Sequence, residues 1–315
     1  MIETTEGQTP RVRRAVAIGV FDGMHQGHVA LVKRLLAHAR EGGLTSCVVT
    51  FDPHPAHVLG SENAPRLLAT LSQRIQWLRG LGVDEVRVVR FDEQRARQSA
   101  RDFVQEVLID ELGAKVVVVG EDFRFGHDRE GSVEMLREIG ERSDFVVDAV
   151  ALFAGATTWS STAVRSALAR GDVDEASEIL GRAFAVRGVV VHGDARGREL
   201  GFPTANVQIE AHQQLPKVGI YAGATFIGET PVPAAISVGR RPQFYDDGSI
   251  LVEVHVPGFA GDLYGTSLEV VFLRRLRDET TFETLDDLIA QIRDDVAKTL
   301  EIFGAVAVQE RTLLG

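Results

Sequence analysis

The stretch GVFDGMHQGH, residues 19–28, overlaps the end of the apolar run RAVAIGVF at 14–21. A short apolar run that passes through glycines into a helical pattern is typical of a strand-to-helix turn. The helical pattern covers 28–41, ends at the pair Gly42-Gly43, and has one apolar stripe made of Val32, Leu35, Leu36 and Ala39. The sequence therefore predicts a strand, a tight turn and an amphipathic helix.

The same alternation of strand and helix continues through the first half of the chain. Further apolar runs lie at 45–51, 85–91, 115–119 and about 145–152. A helix is predicted over 99–113, where Ser99 and Asp102 have the spacing of a capping box. This alternation predicts a parallel sheet covered on both faces, in which ligands bind at the carboxyl ends of the strands. Residues 19–28 follow the first strand at that edge.

The pattern changes near residue 182. Two short helices separated by Gly171-Asp172 precede it, and short strands follow it, at 185–192, 205–210, 219–228, 250–256 and 268–274. These strands predict an antiparallel sheet or small barrel. A long helix to about 303 closes the chain, with Thr280 and Glu283 as its capping box and an apolar stripe made of Leu285, Leu288, Ile289, Ile292 and Val296. We predict domains at 1–182 and 183–315.

Composition limits the classes of function. The net charge of −11 argues against broad binding to nucleic acid, which needs a basic face, but leaves room for small phosphate ligands. No apolar run reaches the roughly 18–20 residues of a membrane span, and the first residues lack the pattern of a signal peptide, so we expect a cytoplasmic protein. Cys47 is the only cysteine and is expected to be a core residue.

Residues 19–28 are open to three interpretations: a phosphate site, a metal site or a plain tight turn. Gly19 and Gly23 permit a sharp turn and close approach of a ligand to the backbone. Gly27 and His28 start the helix, where free N–H groups favour an anion, and His25 lies three residues before His28, on the same side. Zinc is the least favoured, since it needs further ligands in organised spacing.

Four motifs, which follow one another along the chain in the order expected for a known family, carry a resemblance to it. His25-Gln26-Gly27-His28 matches the H-x-G-H signature of the nucleotidyltransferase superfamily, and the whole stretch GVFDGMHQGH resembles the adenylyltransferase half of bifunctional riboflavin kinase/FAD synthetases. The segments TFDPHP (50–55), VVGEDFRFG (118–126) and SSTAVR (160–165) are similar to later motifs of that family. The resemblance implies a Rossmann-like nucleotidyltransferase domain that transfers the adenylyl group of ATP to FMN and releases pyrophosphate.

The resemblance also implies roles for individual residues. His25, His28 and Arg165 would contact the reacting phosphates. ATP would be bound by Gly19, Phe21, Asp22, Gly23, Gly27, Ser160, Ser161 and Thr162, and the flavin by His54, Pro55, Asp122, Phe123 and Phe125. Plainer interpretations stay open: Ser160 to Thr162 suit an ordinary helix N-cap, and one of the two phenylalanines is expected to pack inward.

A second constellation lies in VVHGDARGRELGFPTANV, residues 190–207. Thr204 and Asn206 are two apart, so an extended segment projects both to one face, where their oxygens suit Mg²⁺ shared with phosphates. Gly193, Gly197 and Gly201 give a loop able to approach a nucleotide. On the residues alone, a turn that enters a strand explains the segment equally well.

Within that segment, GRELGFPTAN resembles the riboflavin kinase signature. GIYAG (219–223), LVEVHVPGFAGDLYG (251–265) and residues 274–296 follow as that family's later motifs do. The resemblance implies that Thr204 and Asn206 bind Mg²⁺–ATP and that Glu253 is the general base. The nucleotide would also contact Gly193, Arg198, Gly201 and Pro203, and the flavin end or its new phosphate would contact Arg277 and Glu279. A solvent-facing Glu253 and a surface ion pair of Arg277 with Glu279 are the competing interpretations.

Some residues depart from the family pattern. Ser237 and Gln243 stand in SVGRRPQF (237–244) where the family commonly has other residues, and VPGF (256–259) also differs from the family pattern.

We predict an enzyme that phosphorylates riboflavin to FMN and adenylylates FMN to FAD, with ATP as co-substrate and Mg²⁺ as cofactor. We expect no nucleic-acid or membrane partner, and a homo-oligomer is left open. The alternatives are an FAD synthetase with weak or absent kinase activity or a preference for a flavin analogue, and a flavin-responsive binding protein.

Overall fold

The computed structural model describes residues 12–60, 64–151, 153–154, 157–193, 197, 200–240 and 250–309. The chain divides into two compact units. Unit 1 comprises Met1–Pro65 and Leu71–Gly155, and unit 2 comprises Arg66–Thr70 and Ala156–Gly315. Residues 156–182 therefore belong to the same compact unit as the second half of the chain. The domain boundary predicted at residue 182 stays a prediction.

Unit 1 is built on a five-stranded sheet in the order β3-β2-β1-β4-β5. Every neighbouring pair is parallel, as the alternating sequence pattern predicts. The strands are β1 (Arg14–Ile18), β2 (Thr45–Asp52), β3 (Glu85–Arg90), β4 (Ala114–Gly120) and β5 (Val146–Val150). The two-residue strand β6 (Phe153–Ala154) follows them. The chain runs from β1 outward to β3 and then crosses to β4, so the order reverses between β1 and β4.

Helices cover both faces of this sheet. They are α1 (Gln26–Gly42), α2 (Pro55–Val58), α3 (Leu71–Gly80), α4 (Glu93–Ala96), α5 (Ala100–Phe103), which continues as a π-helix over Val104–Glu111, and α6 (Val133–Ser143); a 3₁₀ turn lies at His127–Arg129. Successive residues of β1 point to opposite faces. Val16 and Ile18 pack in a core with Phe103 and Leu136, whereas Ala17 packs in a second core with α1 and α3.

The ends of α1 follow from local chemistry. His25 is extended and caps the helix, while Gly43 adopts the left-handed conformation (φ 57°) and its N–H bonds back to the last turn. The helix begins two residues before the predicted start at 28, at Gln26. Cys47 is fully buried in β2, and burial raises the pKa of its thiol to about 12, as fits an inert core residue.

Unit 2 contains a closed antiparallel barrel in the order β10-β11-β12-β9-β8-β13. Its strands are β8 (Phe184–Val191), β9 (Thr204–Ile209), β10 (Gly219–Ile227), β11 (Thr230–Arg240), β12 (Ile250–His255) and β13 (Ser267–Arg277). The strand β7 (Thr157–Thr158) and the helices α7 (Ser161–Arg170) and α8 (Val173–Leu180) precede the barrel, and α9 (Leu285–Gln309) follows it. The barrel and the long last helix confirm the predicted fold class.

Two local predictions for unit 2 are wrong. No strand was predicted between 228 and 250, but β11 occupies Thr230–Arg240. It tolerates Pro231 and Pro233 because residues 230–234 pair with β10 alone and the ladder to β12 begins at Ala235. The last helix is capped by Thr284, whose hydroxyl accepts a bond from the Asp287 N–H (3.2 Å), and not by Thr280. Leu285, placed in the apolar stripe, is exposed because it begins the helix.

Candidate functional sites

Residues 19–28 of unit 1, here called the histidine turn, form a strained connection between β1 and α1. Phe21 (φ 57°) and Met24 (φ 45°) adopt the left-handed region that non-glycine residues rarely occupy, and Gly23 (φ 77°) lies between them. Both side chains are buried, with exposures of 0% and 1%. Because buried anchors hold the strained residues in place, the turn has one conformation imposed by the core beneath it.

The two histidines of the turn lie side by side at the start of α1. The Nδ1 atom of His25 accepts a hydrogen bond from the His28 N–H (3.3 Å), and the two rings stack with centroids 3.7 Å apart. His25 is almost completely buried, at 5% exposure, as are Gly27 and Asp22. The predicted pairing of imidazoles at a helix N-terminus is therefore present, and this arrangement suits an anion.

Arg74, which the sequence analysis missed, supports the histidine turn from below. Its guanidinium is 2% exposed, and burial lowers the pKa of the group while the charges of Asp22 and Asp52 oppose that shift. It donates to acceptors at the ends of β1 and β2, namely Val20 O (2.8 Å), Thr50 Oγ1 (3.0 Å) and Phe51 O (3.2 Å). The signal was its place one helical turn before the buried Leu78, on the face of α3 that packs on the sheet.

The predicted flavin residues of unit 1 flank the histidine turn. β1 lies between β2 and β4, and all three are parallel, so the segments after β2 and β4 leave the same edge of the sheet on either side of the turn. After β2, His54 caps α2 by accepting from the Ala56 N–H (3.1 Å), and Pro55 begins that helix. This edge, next to the reversal of strand order, is where open α/β sheets bind ligands.

Phe123 and Phe125 follow β4 and stack on each other, with centroids 5.3 Å apart. Phe125 packs inward, at 8% exposure, whereas Phe123 is partly buried and Asp122 is exposed. An added Cβ on Gly131 would lie 2.7 Å from the Phe125 ring, so this glycine leaves room for the ring. Phe125 therefore belongs to the core, and Phe123 packs against it at the margin.

The SSTAVR motif belongs to unit 2, where it starts α7. Ser160 is the N-cap, and its hydroxyl accepts from the Ala163 N–H (3.1 Å), while Ser161 and Thr162 form the first turn. Arg165 donates from Nε to the carbonyl of Arg66 (2.7 Å). The plain capping role of Ser160 is thus present, and the contact of these residues with a nucleotide stays a prediction.

A cavity of about 840 Å³ lies in unit 2, here called the barrel cavity. Strands β9, β11 and β12 form one wall, and α9 forms another with Leu288, Ile292 and Val296. The cavity is lined by residues predicted for the second site, namely Gly193, Gly197, Thr204, Asn206, Glu253, Arg277 and Glu279. Its mixture of an apolar wall and a few converging polar groups is typical of small-molecule sites.

The register of the strands sets the polar wall. Asn206 of β9 lies directly opposite Glu253 of β12, and Thr204 lies opposite His255. On the other side of β12, Ser237 of β11 also lies opposite Glu253. Directly opposite residues share a face with Cβ atoms about 4.5–5.5 Å apart, so Glu253 stands between Asn206 and Ser237. All of these residues line the cavity, so Glu253 does not simply face bulk solvent.

Two glycines are needed where the loop before β9 approaches that wall. A Cβ added to Gly193 would lie 2.1 Å from Asn206 Nδ2, and one added to Gly197 would lie 2.4 Å from the Phe202 carbonyl. Pro203 accepts a hydrogen bond at its carbonyl from the His255 ring (2.8 Å), and Gly201 has a positive φ of 83°. Arg198 and Gln243 lie outside the described residues, so their predicted roles stay predictions.

Arg277 and Glu279 do not form the ion pair with each other that was the competing interpretation. Arg277 pairs with Asp295 of α9 at 2.7 Å. Glu279 lies over the backbone of β11, where a Cβ on Gly239 would approach Glu279 Oε1 to 2.4 Å. Asp295 was not predicted as a site residue, although a carboxylate three residues after Ile292, on the apolar face of a helix, is a visible signal.

Comparisons with known proteins cover nearly the whole chain. A family described as FAD synthetase matches residues 8–163, and a family described as riboflavin kinase matches residues 180–303. The bifunctional riboflavin kinase/FMN adenylyltransferase of Escherichia coli (strain K12) is 40% identical over 299 residues, which cover 94% of this chain and 95% of that protein. The protein of the same description from Pseudomonas fluorescens is 41% identical, with 91% and 93% covered.

A solved structure has the same fold. It is described as a macrolide-efflux protein from Streptococcus pneumoniae, is 33% identical, and superposes with a TM-score of 0.82 over 93% of this chain and 95% of its own. Within the described part of this chain, no helix is both long and apolar enough to cross a membrane.

Proposed function

The chain belongs to the family of bifunctional riboflavin kinase/FMN adenylyltransferases, and we propose that the barrel cavity is its kinase site and the histidine turn its adenylyltransferase site. The kinase converts riboflavin and ATP to FMN and ADP. The adenylyltransferase converts FMN and ATP to FAD and pyrophosphate. The observation that carries the kinase assignment is the placement of Glu253 directly across from Asn206 on the cavity wall.

In the barrel cavity, Glu253 acts as the general base. Its carboxylate takes the proton from the 5′-hydroxyl of the ribityl chain while that oxygen forms a bond to the γ-phosphorus of ATP, and the bond to the bridging oxygen breaks to release ADP. The apolar wall of Leu288, Ile292 and Val296 packs against the flavin ring. The ribityl 5′-hydroxyl, which accepts the phosphate, therefore lies between the apolar pocket for the flavin ring and the side-chain oxygens of Thr204 and Asn206 on β9.

The side-chain oxygens beside Glu253 suit a magnesium ion. Thr204 and Asn206 offer a hydroxyl and an amide oxygen, hard neutral ligands of the kind that a magnesium ion takes together with waters and phosphate oxygens. Gly193 keeps its backbone close to the Asn206 amide, so the approach is shaped for a phosphate chain. When bound there, Mg²⁺ would neutralise charge on the ATP phosphates, and Thr204 and Asn206 would hold it.

At the histidine turn, the chain positions two anions. A phosphate oxygen of FMN attacks the α-phosphorus of ATP, and the bond to the β-phosphate breaks to release pyrophosphate. His25 and His28, at the positive end of the α1 dipole, stabilise the charge on the phosphates. We assign Gly19, Phe21, Asp22, Gly23 and Gly27 to the ATP side, and the predicted phosphate-binding roles of Ser160, Ser161, Thr162 and Arg165 in unit 2 stay predictions. The flavin side then comprises His54, Pro55, Asp122, Phe123 and Phe125.

One assay tests the assignment. Pure protein is incubated with riboflavin, ATP and Mg²⁺, and the flavins are separated; FMN and FAD are both expected. FAD formed only from added FMN, with riboflavin untouched, would instead indicate an FAD synthetase whose kinase site is altered, for which Ser237 across from Glu253 is the structural reason. Flavin binding without any conversion would indicate a binding protein. Omission of Mg²⁺ tests the metal, and a cytoplasmic location stays a prediction.

A further inference from the structure

Asp295 lies where the pattern of α9 calls for an apolar residue. The helix presents Leu288, Ile292 and Val296 to the barrel cavity, and Asp295 lies on that same face with an exposure of 4%. Burial of a carboxylate is costly unless it is paired and hydrogen-bonded. A pair of this kind contributes little to stability, because desolvation offsets the attraction of the charges. Net stability alone therefore does not explain why a carboxylate stands at this position.

Arg277, at the end of β13, satisfies Asp295. Its Nε atom lies 3.1 Å from both carboxylate oxygens, and its Nη2 atom lies 2.7 Å from Oδ2. The Gln291 amide adds a hydrogen bond to Oδ1 (3.1 Å). Asp295 thus receives a two-point contact from the guanidinium and a further donor from its own helix.

The same contacts occupy one of the two edges through which Arg277 could bind a phosphate at two points. That edge is Nε–Nη2, and it is taken by Asp295. Its Nη1 donates to the Asp278 carbonyl (3.1 Å), and the Phe282 ring lies 5.8 Å from the guanidinium carbon. Arg277 is thus held on three sides within the described structure.

These contacts hold in place a segment that lines the barrel cavity. Residues 279–282 line the cavity between Arg277 and α9, and Glu279 rests on the backbone of Gly239 in β11. Gly239 lies two residues beyond Ser237, which faces Glu253. The ion pair therefore joins α9, the segment 278–282 and the strand next to the general base.

We propose that Asp295 is a positioning residue of the riboflavin site: it holds Arg277 in a buried ion pair that fixes segment 278–282 and α9 as the flavin-side wall of the barrel cavity. Arg277 then acts through the shape of this wall and not as a ligand of the new phosphate. This inference rests on the proposed kinase function of the cavity.

The test compares Asp295→Asn with Asp294→Asn. Asp294 is the adjacent carboxylate of α9, half exposed and paired with Lys298, so its substitution makes the same change of charge outside the cavity. Asp295→Asn is expected to raise the KM for riboflavin about five- to tenfold, with kcat and the KM for ATP changed less than twofold. Asp295→Glu should recover part of the loss, and Asp294→Asn should stay within twofold of the wild type.

Several outcomes would overturn the inference. They are a riboflavin KM within twofold of the wild type in folded Asp295→Asn, an equal rise of both KM values, or tighter inhibition by FMN, which a freed phosphate-binding Arg277 would cause. Thermal unfolding checks that each variant is folded; if Asp295→Asn is not, Arg277→Lys is measured with the same expected result. A wild-type chain that makes no FMN would refute the kinase function itself, so the two failures are distinguishable.

Discussion

The histidine turn and the barrel cavity, the two sites that we propose for ATP, are built in different ways. The histidine turn is one contiguous stretch whose backbone is fixed by the buried Phe21 and Met24. The barrel cavity takes its groups from separate strands and a helix, and no two of its polar residues Asn206, Ser237 and Glu253 are close in sequence. A local site depends on one turn, whereas a distributed site depends on strand register, so the two should respond independently to substitution.

Glu253→Gln gives the largest expected effect and the sharpest test of that independence. The amide keeps the shape of the side chain but cannot take the proton of the ribityl hydroxyl, so FMN formation should fall about 10³-fold. Adenylylation of supplied FMN should stay within twofold, because we assign that reaction to the histidine turn. Separation of the flavins measures both rates in one sample. Equal loss of both activities would break the assignment of two separate sites.

His28→Asn tests the other site. Removal of one imidazole beside the phosphates should lower FAD formation about 10²-fold and leave riboflavin phosphorylation unchanged. His38→Asn is the matched control, since His38 lies on the same helix and pairs with Asp148 at 2.6 Å. FAD formation that survives in His28→Asn as well as in the control would contradict a role for the histidine turn.

Gly193→Ala tests how far the distributed site depends on the close approach of its backbone. The added Cβ would lie 2.1 Å from Asn206 Nδ2 and must displace the amide. The kcat/KM of the kinase for ATP should fall about 10- to 100-fold, with FAD formation from FMN unchanged. Gly304→Ala on α9, where nothing lies within 4 Å of the new Cβ, serves as the control. A kinase with full activity in Gly193→Ala would argue against Asn206 as a ligand.

Asp84→Asn gives the smallest expected effect and concerns stability alone. The Ser46 hydroxyl (2.6 Å) and N–H (2.9 Å) both donate to Asp84 and lower the pKa of its carboxyl. A lowered folded pKa stabilises the protein above the unfolded value of about 3.9, and this stabilisation is lost as the pH falls through the folded value. The variant should lose about 1 kcal/mol at pH 7, limited by solvent exposure, and the difference should vanish near pH 2.

Urea unfolding at the two pH values measures the Asp84 effect. Because Ser46 and Asp84 both belong to unit 1, FAD formation should be lost at a lower urea concentration than in the wild type, while FMN formation keeps its midpoint. Equal shifts of both midpoints would show that the two units unfold together.

Much of the fold was readable from local patterns. The five parallel strands follow from apolar runs spaced by amphipathic helices, and the positions of His25 and His28 follow from three-residue spacing at a helix start. No strand was predicted at β11, and its two prolines are a local signal against one. Their tolerance depends on which residues of β11 have a second neighbour, and that is a property of the barrel.

The sequence by itself determined the histidine turn, because its glycines, its two imidazoles and the helix that they start are contiguous, and local backbone chemistry places them. It also supplied the residue types of the kinase site. Only the tertiary structure decided that Asn206, Glu253 and Ser237 lie side by side on adjacent strands and that Arg277 forms an ion pair with Asp295. Strand register and helix docking bring together residues far apart in the chain, and no spacing in the sequence encodes that distance.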